Sequence, residues 1–267
     1  MKYIDVSEHQ GAIDWSETSQ HIDGVIIRAG YGQNHIDETF INNITQCNRL
    51  GIPAGAYWFS YAYTPEMARK EAGYLLKAVE PFKVELPLAF DWEYDSHDYA
   101  VRRMVIPTSS LVREMTLAFC GLIEAARYYC MLYTNKDYIN KFFGELAGDR
   151  FDLWLADWPK HDPDFAKPPR KCGIWQWGGS EVPGIKGNVD TNESYHDYKA
   201  LISQIGFNQS PEPPKPWYFD AQNWAVEQKI SDGERPEDPA TRAEVWEMLK
   251  RYSSKYNGPR YSGLIDE

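Results

Sequence analysis

The sequence predicts an α/β fold: a barrel of parallel strands whose last strands lack partner helices, followed by a small helical module. Three observations carry this. Short runs rich in β-branched and aromatic residues alternate with segments of helical apolar spacing. After the sixth such run the helical segments disappear, and a proline-rich stretch, Ser210-Pro-Glu-Pro-Pro-Lys-Pro216, sets the remainder of the chain apart.

The candidate strands are Tyr3 to Ser7, Gly24 to Ala29, Pro53 to Tyr61, Leu86 to Glu93, Tyr129 to Thr134, Asp152 to Trp158, Gly173 to Gly178 and Asn188 to Thr191. Between them, Phe40 to Leu50, Pro65 to Val79 and Ser109 to Ala126 have helical spacing, the last with Ser109 or Ser110 as cap and Glu114 near its first turn. Strand–helix alternation implies parallel strands joined by right-handed crossovers, the logic of a (β/α) barrel. The Trp158–Cys172 connection carries Pro159, Pro163, Pro168 and Pro169, and Gly178 to Gly187 is glycine-rich, so neither forms a full helix.

At 267 residues the chain has room for one large domain and a small one. The expected division is a barrel over 1–207, a stiff linker over 208–216 and a helical module over 217–267. In that module Ala221 to Gln228 and Arg242 to Tyr252 have amphipathic spacing, the second after Thr241 as N-cap with Glu244 three residues on. Some 50 residues without disulfides bury little core. The module is therefore expected to lean on a second copy or on the barrel.

Composition narrows the function. Aromatic residues make up 15% of the chain, which excludes an unstructured polymer, and a net charge of −11 excludes nucleic-acid binding through bulk positive charge. No window approaches the roughly 18 apolar residues of a membrane span, so no membrane insertion is expected. The start MKYIDVSEHQ lacks the basic and apolar regions of a signal peptide, so synthesis in the cytoplasm without a leader is expected. Cys47, Cys120, Cys130 and Cys172 form no Cys-x-x-Cys pair and no cluster with histidine. They are read as buried, reduced thiols, with no metal site and no cofactor.

The sharpest chemical feature is Phe90-Asp91-Trp92-Glu93, at the end of the apolar run Leu86-Pro-Leu-Ala-Phe. On a strand, residues i and i+2 share a face, so Asp91 and Glu93 project to one side at the carboxyl end, where barrels keep their active sites. Two acids in such a place can have their pKa values pushed apart, the equipment of glycosidic-bond cleavage. The alternative is a polar strand end whose acids are solvated or ion-paired. Asp5 in the first strand and Asp190 in the last repeat the pattern, with a turn or cap at a strand edge as their alternative. Tyr57, Trp58, Tyr61, Tyr133, Trp154, Trp158, Trp175 and Trp177 gather at the same predicted strand ends, where flat rings can stack on sugars.

Seven segments, in order, resemble the motifs of family 25 glycoside hydrolases, the lysozymes of that family: Asp5-Val-Ser-Glu-His-Gln-Gly, Gly24-Val-Ile-Ile-Arg-Ala-Gly, Gly55-Ala-Tyr-Trp-Phe, Ala89-Phe-Asp-Trp-Glu, Leu153-Trp-Leu-Ala, Ile174-Trp-Gln-Trp and Val189-Asp-Thr-Asn. The resemblance implies a flattened (β/α)5(β)3 barrel, with Glu93 as general acid/base and Asp5, Asp91 and Asp190 completing an acidic cleft. It implies substrate contacts from Arg28, Tyr57, Trp58, Tyr61, Tyr133, Trp154, Asp157, Trp175 and Gln176. Trp58 departs from the family, where many relatives have His. The implied reaction is retaining cleavage of the β-1,4 bond between N-acetylmuramic acid and N-acetylglucosamine. Either the substrate's acetamido oxygen, oriented by Asp91, or a carboxylate is the nucleophile. The tail, Asn223-Trp-Ala-Val-Glu-Gln-Lys-Ile-Ser-Asp-Gly233 followed by Arg235 to Glu244, is similar to one S-layer-homology repeat. That similarity implies contacts from Trp224 and Arg242 to a wall polysaccharide, and self-association through the module; the alternative is that Thr241-Arg-Ala-Glu244 only caps a helix. The whole then reads as a phage endolysin-like muramidase. Its rivals are a hydrolase of another N-acetylhexosamine polymer such as chitin and a noncatalytic wall-binding protein.

Overall fold

The computed structural model of the chain describes residues 1–208, 224–231 and 241–255. The chain divides into two compact units, Met1–Pro211 and Glu212–Glu267. The proposed linker lies almost wholly outside the described residues.

In order, the first unit holds β1 (Lys2–Val6), α1 (Trp15–Thr18), β2 (Gly24–Tyr31), β3 (His35–Ile36), α2 (Phe40–Leu50), β4 (Ala54–Phe59) and α3 (Pro65–Val79). It continues with β5 (Leu88–Asp91), α4 (Tyr94–Arg102), α5 (Ser109–Ala125), β6 (Cys130–Asn135), α6 (Lys136–Tyr138), β7 (Asp152–Ala156), β8 (Ile174–Glu181), β9 (Asn188–Ser194) and α7 (Tyr198–Gln204). The sheet order is β1-β9-β8-β7-β6-β5-β4-β2-β3, and a further parallel pairing of β1 with β2 closes every strand but β3 into a barrel. The short β3 is an antiparallel flap on β2. Each of the first five barrel strands is followed by helix, β7 and β8 are not, and α7 comes only after β9 has closed the barrel, in keeping with a (β/α)5(β)3 barrel.

One strand departs from the all-parallel expectation. β9 runs antiparallel to both β8 and β1. Only residues 182–187 separate β8 from β9, and a parallel return needs a crossover of about a dozen residues or more. A second departure is the cap of α5. Thr108, extended after Pro107, accepts the Leu111 N–H at 3.2 Å, while Ser110 instead donates to Glu114 at 3.0 Å.

The strands are apolar on both faces because both are covered. Parity sorts them. Tyr3, Ile26, Ala89, Met131, Tyr133, Trp154 and Ile174 pack inside the barrel. Their neighbours Ile4, Val25, Ile27, Phe90, Leu132, Leu153 and Trp175 face outward into the larger core beneath the helices. Close approach fixes Gly30, where a Cβ would stand 2.2 Å from the His35 carbonyl and 2.7 Å from the Trp58 ring. The four cysteines are free and buried.

In the second unit α8 (Arg242–Lys255) begins with a reciprocal cap: Thr241 Oγ1 accepts the Glu244 N–H at 3.3 Å, and the Glu244 carboxylate accepts the Thr241 N–H at 2.8 Å. The Thr-Arg-Ala-Glu segment therefore does cap a helix. A helical turn covers 224–227, and the Trp224 ring lies 6.0 Å from that of Tyr252. The Arg242 side chain lies outside the described residues. Among the described residues no helix is long and apolar enough to cross a membrane.

Candidate active site

The inside-facing parity places polar groups at the carboxyl ends of β1, β5 and β8. Asp5 follows Tyr3, Asp91 follows Ala89, and Gln176 follows Ile174, each two residues on and on the same face. These ends open into a cavity of about 240 Å³ whose walls include Asp5, Arg28, Tyr57, Asp91, Glu93, Tyr133, Trp154, Gln176 and Asp190. A larger hollow of about 660 Å³ lies against the amino ends of β5 and β6, but its Glu85 is engaged by both Lys83 and Lys199. Its remaining acid, Asp197, caps α7 by accepting the Ala200 N–H at 3.0 Å. In the smaller cavity Asp91, Glu93 and Asp190 form no ion pair among the described residues.

Asp91 is the last residue of β5 and Glu93 sits two residues on, still extended at φ −129° and ψ −162°, as the residue that starts α4. The expected strand Leu86 to Glu93 thus overruns β5 by two residues at each end, yet the extended backbone keeps both acids on the cavity side. Trp92 between them turns outward, fully buried, its Nε1 donating to the Ala62 carbonyl at 3.1 Å. The Glu93 N–H donates to Ser96 Oγ at 3.0 Å, which fixes the first turn of α4 beneath it. Asp5 and Asp190 are direct partners across β1 and β9.

A hydrogen-bonded chain organises the floor. Tyr133 donates to Gln176 Oε1 at 3.0 Å, Gln176 Nε2 donates to Asp5 Oδ2 at 3.1 Å, Asn192 Nδ2 donates to the same oxygen at 2.9 Å, and Trp154 Nε1 donates to Asn192 Oδ1 at 2.7 Å. Each donor in turn fixes the amide orientation of the next, so Asp5 is held as an acceptor. Arg28 is clamped by Asp37 and Glu8, at 2.8 Å from each, and stands as the cavity's cation. In contrast, Asp91 Oδ1 is buried and has no hydrogen-bond partner among the described residues.

These surroundings favour protonated carboxyls. Burial, then the charges of Asp95 and Asp190, pushes Glu93 up to about 7. Burial and the Asp190 charge, opposed by the bonds from Asn192 and Gln176, bring Asp5 to about 7. Burial, with Glu93 and Asp5 behind it, raises Asp91 well above the usual range, against Arg28. Burial also raises Asp190. One consequence is testable by carboxyl carbon NMR. Asp190→Asn removes a negative charge that disfavours ionised Glu93, so the Glu93 midpoint moves below its value of about 7; an unmoved or rising midpoint contradicts the arrangement.

Of the ring residues named from sequence, Tyr57, Tyr133 and Trp154 line the cavity. Trp58 and Trp175 do not. Both take the outward parity: Trp58 is buried with its Nε1 on the Gly32 carbonyl at 3.1 Å, and Trp175 donates to the Asp157 carbonyl at 2.7 Å. Their immediate neighbours, Tyr57 and Gln176, occupy the cavity in their place. Tyr61 stands just beyond the wall, its ring 5.2 Å from that of Phe59, and Asp157 sits past the end of β7, paired with Lys136 Nζ at 2.5 Å. In the second unit Trp224 is 43% exposed, against its packing on Tyr252. Ser7, His9, Gln10 and Phe59 also line the cavity without having been singled out. The first three stand in the Asp5-Val-Ser-Glu-His-Gln segment, whose polar run directly after an apolar strand was the available signal.

A closed β/α barrel with several protonatable carboxyls at the carboxyl ends of its strands defines the class of barrel glycoside hydrolases. The sequence matches the glycosyl hydrolases family 25 over residues 4–185, and the chain belongs to that family. Among solved structures it is similar to the modular autolysin LytC of Streptococcus pneumoniae, solved with a synthetic peptidoglycan ligand. That likeness has 27% identity and a TM-score of 0.59, over 72% of this chain and 46% of that one. This chain thus matches about half the length of that autolysin. A lysozyme from Streptomyces coelicolor is 25% identical with a TM-score of 0.62, covering 76% of this chain and 95% of its own. A family 25 glycosyl hydrolase from Bacillus anthracis is 25% identical with a TM-score of 0.61, over 76% and 92% respectively. Comparison with curated protein sequences gives no match.

Proposed function

We propose that this chain hydrolyses peptidoglycan, cleaving the β-1,4 bond between N-acetylmuramic acid and N-acetylglucosamine with retention, and that Glu93 is the general acid/base. The observation that carries the reading is the Glu93 carboxyl at the cavity wall with its value near 7. Near neutral pH such a group is protonated often enough to give its proton to the departing glycosidic oxygen, and ionised often enough to take one from water afterwards. The acetamido carbonyl oxygen of the muramyl sugar attacks C1 as the glycosidic bond breaks. Asp91, whose Oδ1 is buried without a partner, accepts the acetamido N–H and steadies the charged cyclic intermediate. Water, deprotonated by Glu93, then opens that ring at C1 from the face the leaving group vacated. Asp95 and Asp190 add to the burial that keeps Glu93 protonated, Asp5 stands opposite Asp190 across β1 and β9, and Tyr57, Tyr133 and Trp154 offer ring faces and edges to the sugar.

Mass and reducing-end analysis of digests tests this. Digested purified peptidoglycan should carry new reducing ends on N-acetylmuramic acid, and chitin should release far less. Equal release from chitin moves the assignment to N-acetylhexosamine polymers in general, and no release from either makes the barrel a noncatalytic wall binder.

We further propose that the second unit holds the enzyme on the wall, by binding an associated polysaccharide and by self-association, in an endolysin-type enzyme that acts on bacterial cell walls. Support comes from the exposed rings and aliphatic side chains of its described helix, Trp246 at 66% and Leu249 at 59%, which leave an apolar face to cover. A chain at −11 gains little from general attraction to anionic walls, so a dedicated contact is needed. Tethering raises local concentration without altering the catalytic step. Truncation after residue 210 should lower retention on sedimented walls by about tenfold while hydrolysis of soluble fragments continues. Equal retention of the two forms sinks the targeting role, and a full-length chain that sediments at its monomer mass sinks the self-association.

A further inference from the structure

Four protonatable carboxyls in the cavity and a net charge of −11 set this protein against anionic ligands. Peptide-bearing peptidoglycan carries free carboxylates, so a cation not already neutralised is needed beside the cleft. Arg28 is committed to Asp37 and Glu8, and Lys136 to Asp157. Arg102 and Arg103, at the end of α4, are exposed and pair with no carboxylate among the described residues.

The two guanidinium groups are nonetheless held in place. They lie 6.0 and 5.0 Å from the centroid of the Tyr99 ring, and Arg103 donates to the Tyr99 hydroxyl at 2.9 Å. Tyr99 packs on Tyr61 at 5.0 Å, and Tyr61 on the cavity-lining Phe59 at 5.2 Å. A row of rings thus connects the cavity wall to the arginines. Burial and then the Asp95 charge raise the Tyr61 hydroxyl while Arg102 and Arg28 pull it down, so that hydroxyl lies within the field of both the cavity arginine and the rim arginine.

From this placement we infer that Arg102 and Arg103, floored by Tyr99, bind a carboxylate of the peptide borne by the muramyl sugar. The inference rests on the peptidoglycan reading above and adds a peptide contact to it. The reach is adequate: the ring-to-ring and ring-to-arginine steps of 5.2, 5.0 and 5.0 Å are spanned by about four or five extended residues at about 3.3 Å each. The chemistry is suited as well, because a guanidinium fork meets a carboxylate through two parallel N–H donors, and a stacked guanidinium loses little freedom in doing so.

The test measures binding without turnover. In the full-length Glu93→Gln chain, calorimetry compares a muramyl disaccharide carrying its tetrapeptide with the same disaccharide lacking it. The peptide-bearing probe should bind about tenfold tighter, a salt-sensitive preference. Adding R102A and R103A together should bring the two dissociation constants within about twofold of each other. A preference that survives the double substitution overturns the inference, and so does a glycerol-phosphate oligomer that competes at the arginines better than the peptide does. If neither disaccharide binds, the peptidoglycan reading itself falls and the peptide contact with it; if both bind equally before substitution, only the peptide contact falls.

Discussion

Glu93→Gln should lower the rate of wall hydrolysis by about a thousandfold or more, because general acid–base catalysis contributes roughly 10²–10⁴ and this one group serves both the bond-breaking and the water-activating step. The amide matches the carboxyl in size but has no proton to give to a leaving alkoxide. The fold should survive, since the anchoring contact of this position is its backbone N–H to Ser96, which Gln retains. The substitution even removes a group whose ionised form is disfavoured by burial and by Asp95 and Asp190. Its folded-state value of about 7 lies above the ordinary glutamate value of 4.5, so Glu93 favours folding fully only below about pH 4.5 and that advantage is lost as pH rises through 7. The melting temperature of Glu93→Gln at pH 8 should therefore equal or exceed that of the parent. Turbidity clearing of purified walls reads the activity, and clearing near the parent rate removes Glu93 from the chemistry whatever its pKa.

How much of this was legible in the sequence depends on which physical rule each residue obeys. The barrel and its missing late helices followed from periodicity and proline content, whereas the antiparallel β9 did not, because the connection before it shrinks to six residues only once β8 is seen to run on to Glu181. Asp91 and Glu93 were legible because period-two parity is local. Parity also undid Trp58 and Trp175: aromatic residues are equally at home inside and outside a doubly covered strand, and only knowledge of which neighbour faces the barrel axis decides. Tyr57 and Gln176 carry the inside parity, as Asp5 and Asp91 do. The Arg28 clamp joins Asp37 and Glu8 from separate loops, and the Asp5 cradle joins Gln176 and Asn192 from two other strands. Such long-range partnerships leave no spacing to read. Nor was α4 anticipated, although it begins directly after Glu93 and carries Tyr99, Arg102 and Arg103.

Asp91→Asn should lower turnover by about a hundredfold to a thousandfold, the scale for losing one preorganised polar contact to a charged intermediate, with a smaller change in KM. The reason is a reversal of hydrogen-bond sense. Asp91 Oδ1 is buried and unpartnered, available to accept the acetamido N–H, whereas an amide nitrogen at that position would set a donor against a donor. An amide also cannot ionise, so it has no negative charge to set against the positive charge arising at the sugar. The substitution alone does not separate neighbouring-group attack from attack by a carboxylate of the enzyme, but a cycle with the substrate does. On walls whose muramyl sugars have been de-N-acetylated, the parent should itself be slow, and Asp91→Asn should add little further loss, because the group that Asp91 orients is gone. Equal losses on acetylated and de-N-acetylated walls would show instead that Asp91 acts on the anomeric carbon independently of the acetamido group. Non-additivity is thus the signature of the proposed route, and it depends on only four rate measurements made on one enzyme pair.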